Sequence, residues 1–483
     1  MELDALTATD GTAHSADLCI VGAGPAGLTL AHALADAGLH IIVLESGADG
    51  DAATRELNVG WNIGDPMADL RESRARSVGG TSVLWDTVRG GVAGAKYVPL
   101  DAIDFTKRDE LPWSGWPITR ASLDPWYQRA QSLLGLGRFD ASDVTWSDRQ
   151  HPLLPFRPDG LTSTAYQWGP ADTFRRRIPD ALRASTSVML IRNATVTELV
   201  GGDGASITEV RWAAFSGVRG TVRATRFVLA AGAIENARLL LASRIPRANP
   251  DGWLGRGLME HPIDRSLRLV SRHPALSPRP GFYAPFGTGR RAHVIGRIGC
   301  SDGLLRADRL WNASLRLFPI RERRLVRTAK RLVSLVGGAP VTGYRVLLDL
   351  EQAPHRENRV VLADQRDALG VPRVVLHWRW GAEDEANRQR VLAAVVREFS
   401  VSGAGQMAVV LGLPVDPDVH HHAGTTRMHD DPQAGVVNPD LRIHGLENLF
   451  VIGASVFPTA GVANPTLTIV ALGLRLADYL RQA

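Results

Sequence analysis

Residues 17–45 constrain the fold more than any other stretch of the chain. Asp17-Leu18-Cys19-Ile20-Val21 is a short apolar run that leads into Gly22-Ala23-Gly24-Pro25-Ala26-Gly27. Leu28, Leu30, Ala31, Leu34 and Ala35 then recur at helical spacing, Gly38 is placed to stop the helix, and Ile41-Ile42-Val43-Leu44 ends at Glu45. The pattern predicts strand, glycine turn, helix, strand. Gly22 permits the tight turn, Gly24 lets backbone approach a pyrophosphate, and Gly27 lets the helix pack close on the sheet. The helix N-terminus offers unpaired N–H groups and the positive end of its dipole to phosphates. Glu45, eighteen residues past Gly27, is placed to accept hydrogen bonds from ribose hydroxyls. These features together point to an ADP-containing dinucleotide. A glycine-rich turn without a ligand is the bland alternative, and the motif by itself does not separate FAD from NAD.

Of the 483 residues 45% are hydrophobic and 22% charged, enough apolar surface for ordinary cores and too much for wholesale disorder. No apolar run reaches the length of a membrane span. Met1 to Ala16 is polar and acidic, without the basic-then-apolar order of a secretory signal, so the cytoplasm is the expected compartment. Cys19 and Cys300 are the two cysteines, which excludes a disulfide scaffold, a Cys-based zinc site and a CxxCH haem attachment. The net charge of +5 is no sign of a nucleic-acid partner: all basic residues but Lys96, Lys107 and Lys330 are Arg, a skew that reflects codon usage. The densest basic run is Arg321-Glu322-Arg323-Arg324, continuing to Arg327, Lys330 and Arg331. Leu325, Ala329, Leu332 and Val336 recur through it at helical spacing. It reads as an amphipathic helix with a solvated face, a membrane surface or acidic partner being the sharper alternative.

No linker or repeat divides the chain. The stretch 96–187 is rich in Trp and Pro and is expected to be irregular with short helices. Strand-rich regions follow around 188–230 and 344–380. A last helix starts near Pro465, with Leu467, Val470, Ala471, Leu474, Ala477 and Leu480 on one side.

Near the C-terminus come His421-His422-Ala423-Gly424-Thr425-Thr426-Arg427-Met428, then Gly435-Val436-Val437-Asn438-Pro439. Asn448-Leu449-Phe450-Val451-Ile452-Gly453-Ala454-Ser455, Phe457-Pro458-Thr459 and Asn464-Pro465-Thr466-Leu467-Thr468 follow. This block resembles the C-terminal domain of the glucose–methanol–choline (GMC) family of FAD-dependent alcohol oxidoreductases. Within it the likeness is to the branch of pyranose oxidases, glycoside oxidases and fructose-dehydrogenase-type enzymes. It extends over about Asp17 to Tyr479, through Gly79-Gly80-Thr81-Ser82, Val228-Leu229-Ala230-Ala231-Gly232-Ala233 with Glu235-Asn236, Gly255 to Pro262, and Asn358-Arg359-Val360. Residues 96–187 and 266–345 match weakly.

The resemblance implies an α/β (α+β overall) fold, a Rossmann-like FAD-binding domain interleaved with a substrate domain on an antiparallel sheet. The FAD domain is expected at 15–95, 188–265 and 415–483, and the substrate domain at 96–187 and 266–414. FAD is expected to touch Gly22, Gly24, Pro25, Ala26, Gly27, Glu45, Ser46, Gly79, Gly80, Ser82, Leu84, Trp85, Asp86, Val196, Ala231, Gly232, Gly453, Ala454, Asn464, Pro465 and Thr466. Several enzymes of this branch link FAD through a His just before the Trp of the second flavin loop. Here Leu84 holds that position and has no nucleophile, so FAD is expected to be non-covalent. Asp86 is expected near the reacting end of the flavin, where a carboxylate would oppose negative charge on the reduced ring and disfavour oxygen as acceptor.

Alcohol oxidation removes a proton from oxygen and a hydride from carbon. A flavin takes the hydride, and a His titrates where the proton must go. The family motif puts that base at His421 and its partner at Asn464. Consecutive His420, His421 and His422 could instead be core, surface or metal-binding residues, but no carboxylate-rich ligand pattern accompanies them, and no metal is expected. Asn464 before Pro465 could simply cap the last helix. Glu351, Gln352, His355, Trp378 and Trp380 suit a sugar-like polyol but read equally well as sheet surface and core. The expected substrate is a secondary hydroxyl of a sugar, glycoside or cyclitol, with oxygen, a quinone or a redox protein as acceptor. Oxidation of a primary or aliphatic alcohol and a non-redox FAD-containing lyase are the alternatives.

Overall fold

The computed structural model describes residues 1–48, 52–137, 139–140, 143–201, 204–248, 251–277, 280–287, 293–320 and 341–482. The amphipathic helix expected within 321–336 lies outside them. The strand Thr12–Val21 alternates in its first half and is wholly buried in its second, as expected of a strand that enters a covered sheet. Helix Pro25–Leu34 and strand Ile41–Leu44 follow as the sequence predicts. Thr12–Val21 is parallel to both Ile41–Leu44 and Arg219–Leu229, with Val21 opposite Leu44 and Leu229. Leu229 is in turn opposite Val451 of the parallel strand Leu449–Val451. Four strands thus end at one edge of an eight-stranded sheet, and four loops gather there, beginning at Gly22, Glu45, Ala230 and Ile452. Ligands bind at such carboxyl edges because the loops diverge and leave a crevice.

Two glycines make the first loop possible. Gly22 has φ +106, and a Cβ on it would lie 2.7 Å from the Ala230 carbonyl oxygen; a Cβ on Gly27 would lie 2.0 Å from the Gly22 oxygen. The turn and the helix packed on it therefore exclude any larger residue.

The second sheet is antiparallel and has ten strands among the described residues. It includes Val92–Tyr97, Leu161–Pro170, His293–Cys300, Ala313–Pro319 and Thr342–Leu350. Its inward faces and helix Ala382–Ser402 form a separate apolar core. A small third sheet pairs Arg359–Arg366, Pro372–Trp378 and the distant Gly60–Gly64, so the strand-rich 344–380 region is shared between two sheets.

The stretch 96–187 is more regular than its composition suggests. It holds helix Arg120–Leu134 and the ten-residue strand Leu161–Pro170. The helix is capped by the Thr119 hydroxyl on the Ser122 N–H and stopped by Gly135 at φ 67, and it buries Leu123, Tyr127, Ala130 and Leu134 against the last helix, Thr466–Gln482. Pro125 within the helix hid this periodicity. No helix among the described residues is long and apolar enough to cross a membrane.

Candidate active site

One cavity of about 540 Å³ joins the carboxyl edge of the first sheet to the face of the second. Its glycine end is lined by Gly22, Gly24, Pro25, Ala26, Glu45, Ser46, Gly80, Ser82, Val196, Ala231 and Gly232. Its histidine end is lined by His261, His421, Asn464, Lys96, Arg316 and Asp349. Leu84, Trp85, Gly453, Ala454, Pro465 and Thr466 also line it.

At the glycine end Glu45 is buried, and its two oxygens accept from the N–H groups of Ala23 (2.8 Å) and Gly47 (3.1 Å). Burial raises its pKa to about 7 against those bonds and the pull of Arg76. The second glycine loop docks on the first: the Gly79 N–H donates to the Ala23 oxygen at 2.8 Å, and a Cβ on Gly80 would lie 2.7 Å from the Gly24 Cα. Gly27 and Gly79 therefore hold the loops together and do not themselves line the cavity.

Sequence reasoning missed a basic cluster here. Arg74 and Arg76 line the cavity and pair with Glu235 at 3.5 and 2.8 Å. Arg76 also donates to Asn58 (2.8 Å) and Ser46 (3.2 Å). Arg74 Nε and the Ser73 hydroxyl are buried without a partner among the described residues, and both residues line the cavity. Helix Pro25–Leu34 has no side-chain cap. Open helix N–H groups, a buried cation and a carboxylate fit the phosphates and ribose of a dinucleotide.

Asp86 is not where it was expected. Trp85 turns inward, edge-on to Tyr97 and Phe174, so the next side chain faces out. Asp86 is 86% exposed, pairs with Arg175 at 3.4 Å and does not line the cavity. Its charge cannot act on a flavin from solvent at the strength a buried carboxylate would. The sugar-contact candidates are structural too. Glu351 grips Arg108 through two 2.7 Å bonds, Gln352 accepts from the Trp378 indole at 3.0 Å, His355 meets Asp384 at 3.0 Å, and the Trp380 indole donates to Glu385 at 3.0 Å.

At the histidine end the loop leading into helix Thr466–Gln482 places Asn464 beside His421, 3.0 Å from Asn464 Nδ2 to His421 Nε2. The other ring nitrogen, His421 Nδ1, is 3.1 Å from His261 Nδ1, and His261 Nε2 is 3.1 Å from the Ala460 carbonyl oxygen. A carbonyl only accepts, so His261 carries its proton on Nε2 and accepts at Nδ1. His421 must then donate from Nδ1, which leaves the lone pair on Nε2, where the Asn464 amide donates. One tautomer of each ring satisfies all three bonds. His261 was passed over in the sequence because its single motif gave it no partner; the His421 contact spans 160 residues.

The backbones of both histidines are held by one carboxyl group. Glu260 Oε1 accepts from the N–H of His261 (2.9 Å) and of His421 (2.7 Å). Burial raises the Glu260 pKa to about 8, and its other oxygen lies 3.8 Å from His422 Nε2. Burial, then the neighbouring His261, holds the His421 pKa well below the usual 6.5, and burial lowers that of His261 to about 4. Both rings are neutral at pH 7. Among the described residues no group of three or more His, Cys, Asp or Glu could hold a metal.

Residues 354–473 match the family described as GMC oxidoreductase, and residues 20–65 match the NAD(P)-binding Rossmann-like domain. Over 97% of its length the chain is 25% identical to 2-methyl-1,2-propanediol dehydrogenase of Mycolicibacterium austroafricanum, 96% of which is covered. It is 23% identical to the fructose dehydrogenase large subunit of Gluconobacter japonicus (96% and 98% covered), and 25% identical to paromamine 6'-oxidase of Streptomyces fradiae (95% and 90%). Among solved structures, formate oxidase superposes with a TM-score of 0.58 at 17% identity (98% and 99% covered), and pyridoxine 4-oxidase from Mesorbium loti with 0.57 at 17% (97% and 99%).

Proposed function

We propose, from the premise that the chain belongs to the GMC oxidoreductases and uses FAD, that it oxidises a secondary hydroxyl of a sugar, glycoside or cyclitol to a ketone, with His421 as the base. The observation that carries this is the hydrogen-bond chain from Asn464 through His421 to His261 and the Ala460 carbonyl. It presents a neutral imidazole lone pair inside a cavity that also fits a dinucleotide. Arg74, Arg76, Glu45 and the open helix N-terminus would hold the nucleotide, and the bound flavin supplies a hydride acceptor. Loop 80–85 brings no His to the cavity, and Leu84 at the linking position carries no nucleophile, which supports non-covalent FAD.

The chain's own residues do the proton work. An alcohol oxygen that enters between His421 Nε2 and Asn464 Nδ2 replaces their direct bond, donating its proton to the first and accepting from the second. As Nε2 takes the proton the ring becomes cationic, and its Nδ1–H keeps the bond to neutral His261, so no ring turns during the step. His261 is here a positioning residue: it fixes the tautomer without touching the alcohol. The relatives named for fructose, paromamine and 2-methyl-1,2-propanediol all take polyhydroxy molecules, which supports a polyol for this chain. Cys19 and Cys300 are both free, which fits the cytoplasm.

The test is anaerobic mixing of the FAD-loaded protein with a panel of sugars, glycosides, cyclitols and simple alcohols. Bleaching of the flavin by a polyol, with a ketone formed in equal amount, is expected. A panel that leaves the flavin oxidised while a hydroxynitrile is cleaved would replace oxidation by the lyase reading.

A further inference from the structure

Beside His261 and His421 the cavity wall carries a cluster that neither the base nor the nucleotide uses. Lys96 lies on strand Val92–Tyr97, Arg316 on Ala313–Pro319 and Asp349 on Thr342–Leu350. In sheet order Val92–Tyr97 and Thr342–Leu350 are four spacings apart. A flat sheet would separate them by roughly 19 Å. Yet Lys96 Nζ lies 3.8 Å from Asp349 Oδ2, so the sheet curls and its concave face closes over the cavity. Asp349 is paired with Ile263, two residues beyond His261, which sets the cluster next to the histidines. The charges of Lys96 and Arg316 act on His421, and those of Asp349 and Lys96 on His261.

The partners within the cluster are unequal. Arg316 grips Asp349 with two bonds, at 2.8 and 2.5 Å. That pair is complete without a second cation. Lys96 is only 6% exposed, sits 5.0 Å over the Tyr166 ring, and makes no hydrogen bond with any described residue. A buried ammonium without hydrogen bonds is costly. Burial pushes its pKa down to about 7 despite the pull of Asp349. Burial opposes ionisation of Asp349 as well, but Arg316 and Lys96 outweigh it and keep the carboxyl below its ordinary value. The wall therefore offers three unused donors beside an ionised acceptor, above an aromatic ring. A hydroxyl group accepts one bond and donates another, and matches that pair.

We propose that Lys96 and Asp349 form a subsite for a second hydroxyl of the substrate, near the carbinol presented to His421, so that the enzyme selects vicinal diols and sugar rings over mono-alcohols. Lys96 donates to that hydroxyl, Asp349 accepts from it, and Arg316 fixes the carboxylate. The inference rests on the alcohol-oxidation reading given above. A mono-alcohol leaves the ammonium without a partner, which is the costly case for a buried polar group.

The experiment compares anaerobic flavin reduction by 1,2-cyclohexanediol, methyl glucopyranoside and cyclohexanol in the wild-type holoenzyme, Lys96→Met, Lys96→Arg and Asp349→Asn. The wild type should prefer the two polyols. Lys96→Met should narrow the preference for them over cyclohexanol by roughly ten- to a hundredfold, the loss of a charged hydrogen bond. Lys96→Arg, which keeps donors and charge, should recover part of it, and Asp349→Asn should narrow it even if the Met variant fails to retain FAD. Reduction of the flavin with the same preference in all four proteins would overturn the subsite and leave the oxidation reading standing. No reduction by any of the three alcohols would sink the oxidation reading, and the subsite with it.

Discussion

At its glycine end the cavity is walled by backbone and small residues from 22–46 and 80–82, with Glu45, Arg74 and Arg76 among them; at its histidine end it is walled by long polar side chains from six separate segments, at Lys96, His261, Arg316, Asp349, His421 and Asn464. The glycine end gets its shape from what is missing, since a Cβ at Gly22 or Gly80 would meet neighbouring backbone at 2.7 Å. The histidine end gets its chemistry from what each side chain is bonded to. The electrostatics differ in the same sense. Glu45 is a carboxylate that burial has made reluctant to ionise, awaiting hydroxyl donors. His421 and His261 are bases that burial keeps neutral, awaiting a proton. Changes at the first end should therefore act on binding and stability, and changes at the second on rate.

The sharpest contrast is expected at His421. His421→Ala should retain FAD but slow flavin reduction about a hundredfold or more, the scale of general-base catalysis. His261→Phe should also lower the reduction rate with little change in substrate affinity, and His261→Gln, which can still accept at its side-chain oxygen, should recover part of the loss. Because burial holds the His421 pKa well below 6.5, protonation of this base should lower the wild-type rate only in solution more acid than pH 6.5, while any change near pH 7 should come from Lys96 and vanish in Lys96→Met. A wild-type rate of flavin reduction in His421→Ala would erase the distinction between the two ends.

Gly27→Ala should do the reverse. Its Cβ would lie 2.0 Å from the Gly22 oxygen, so helix and turn must part, at about 1–3 kcal/mol of stability. Thermal unfolding should drop and FAD should be lost, while the protein that still holds FAD should be reduced at close to the normal rate.

Glu45→Gln should weaken FAD retention and remove a pH dependence from the apoprotein. The Glu45 pKa is about 7 in the fold against an ordinary 4.5, so between those values the folded chain holds a proton that the unfolded chain has released. Stability from this group is complete below pH 4.5 and is lost as pH rises through 7, by up to about 3 kcal/mol. Urea titration of apoprotein at pH 5 and pH 8 should show a slope in the wild type, to which Glu260 also adds, and a smaller one in Glu45→Gln. An equal slope in both would mean that Glu45 is ionised throughout.

The smallest expected change is none. Acid denaturation should release all of the flavin as FAD, because Leu84 offers nothing to bond it. A flavin-fluorescent band on a denaturing gel would show that a side chain at the histidine end has taken over a binding task from the glycine end.

The glycine end was legible because it is local. Gly22, Gly24, Gly27 and Glu45 lie within one strand–helix–strand unit, so their spacing alone fixes which groups face the crevice. His421 and Asn464 were singled out through the resemblance of their motifs, and the structure brings their side chains within 3.0 Å of each other. Asp86 was misplaced because sequence register says nothing of which way a side chain turns once its neighbour Trp85 has packed inward.

The sequence by itself determined the strand–helix–strand order around the first loop and which carboxylate and imidazole the chain can offer the cavity, because those depend on spacing and residue type. Only the tertiary structure decided the tautomer of that imidazole and the company it keeps. His261 reaches it across 160 residues, and Lys96 meets Asp349 across a curled sheet. Such contacts depend on sheet curvature and on the meeting of loops far apart in the chain, and no local pattern of residues records either.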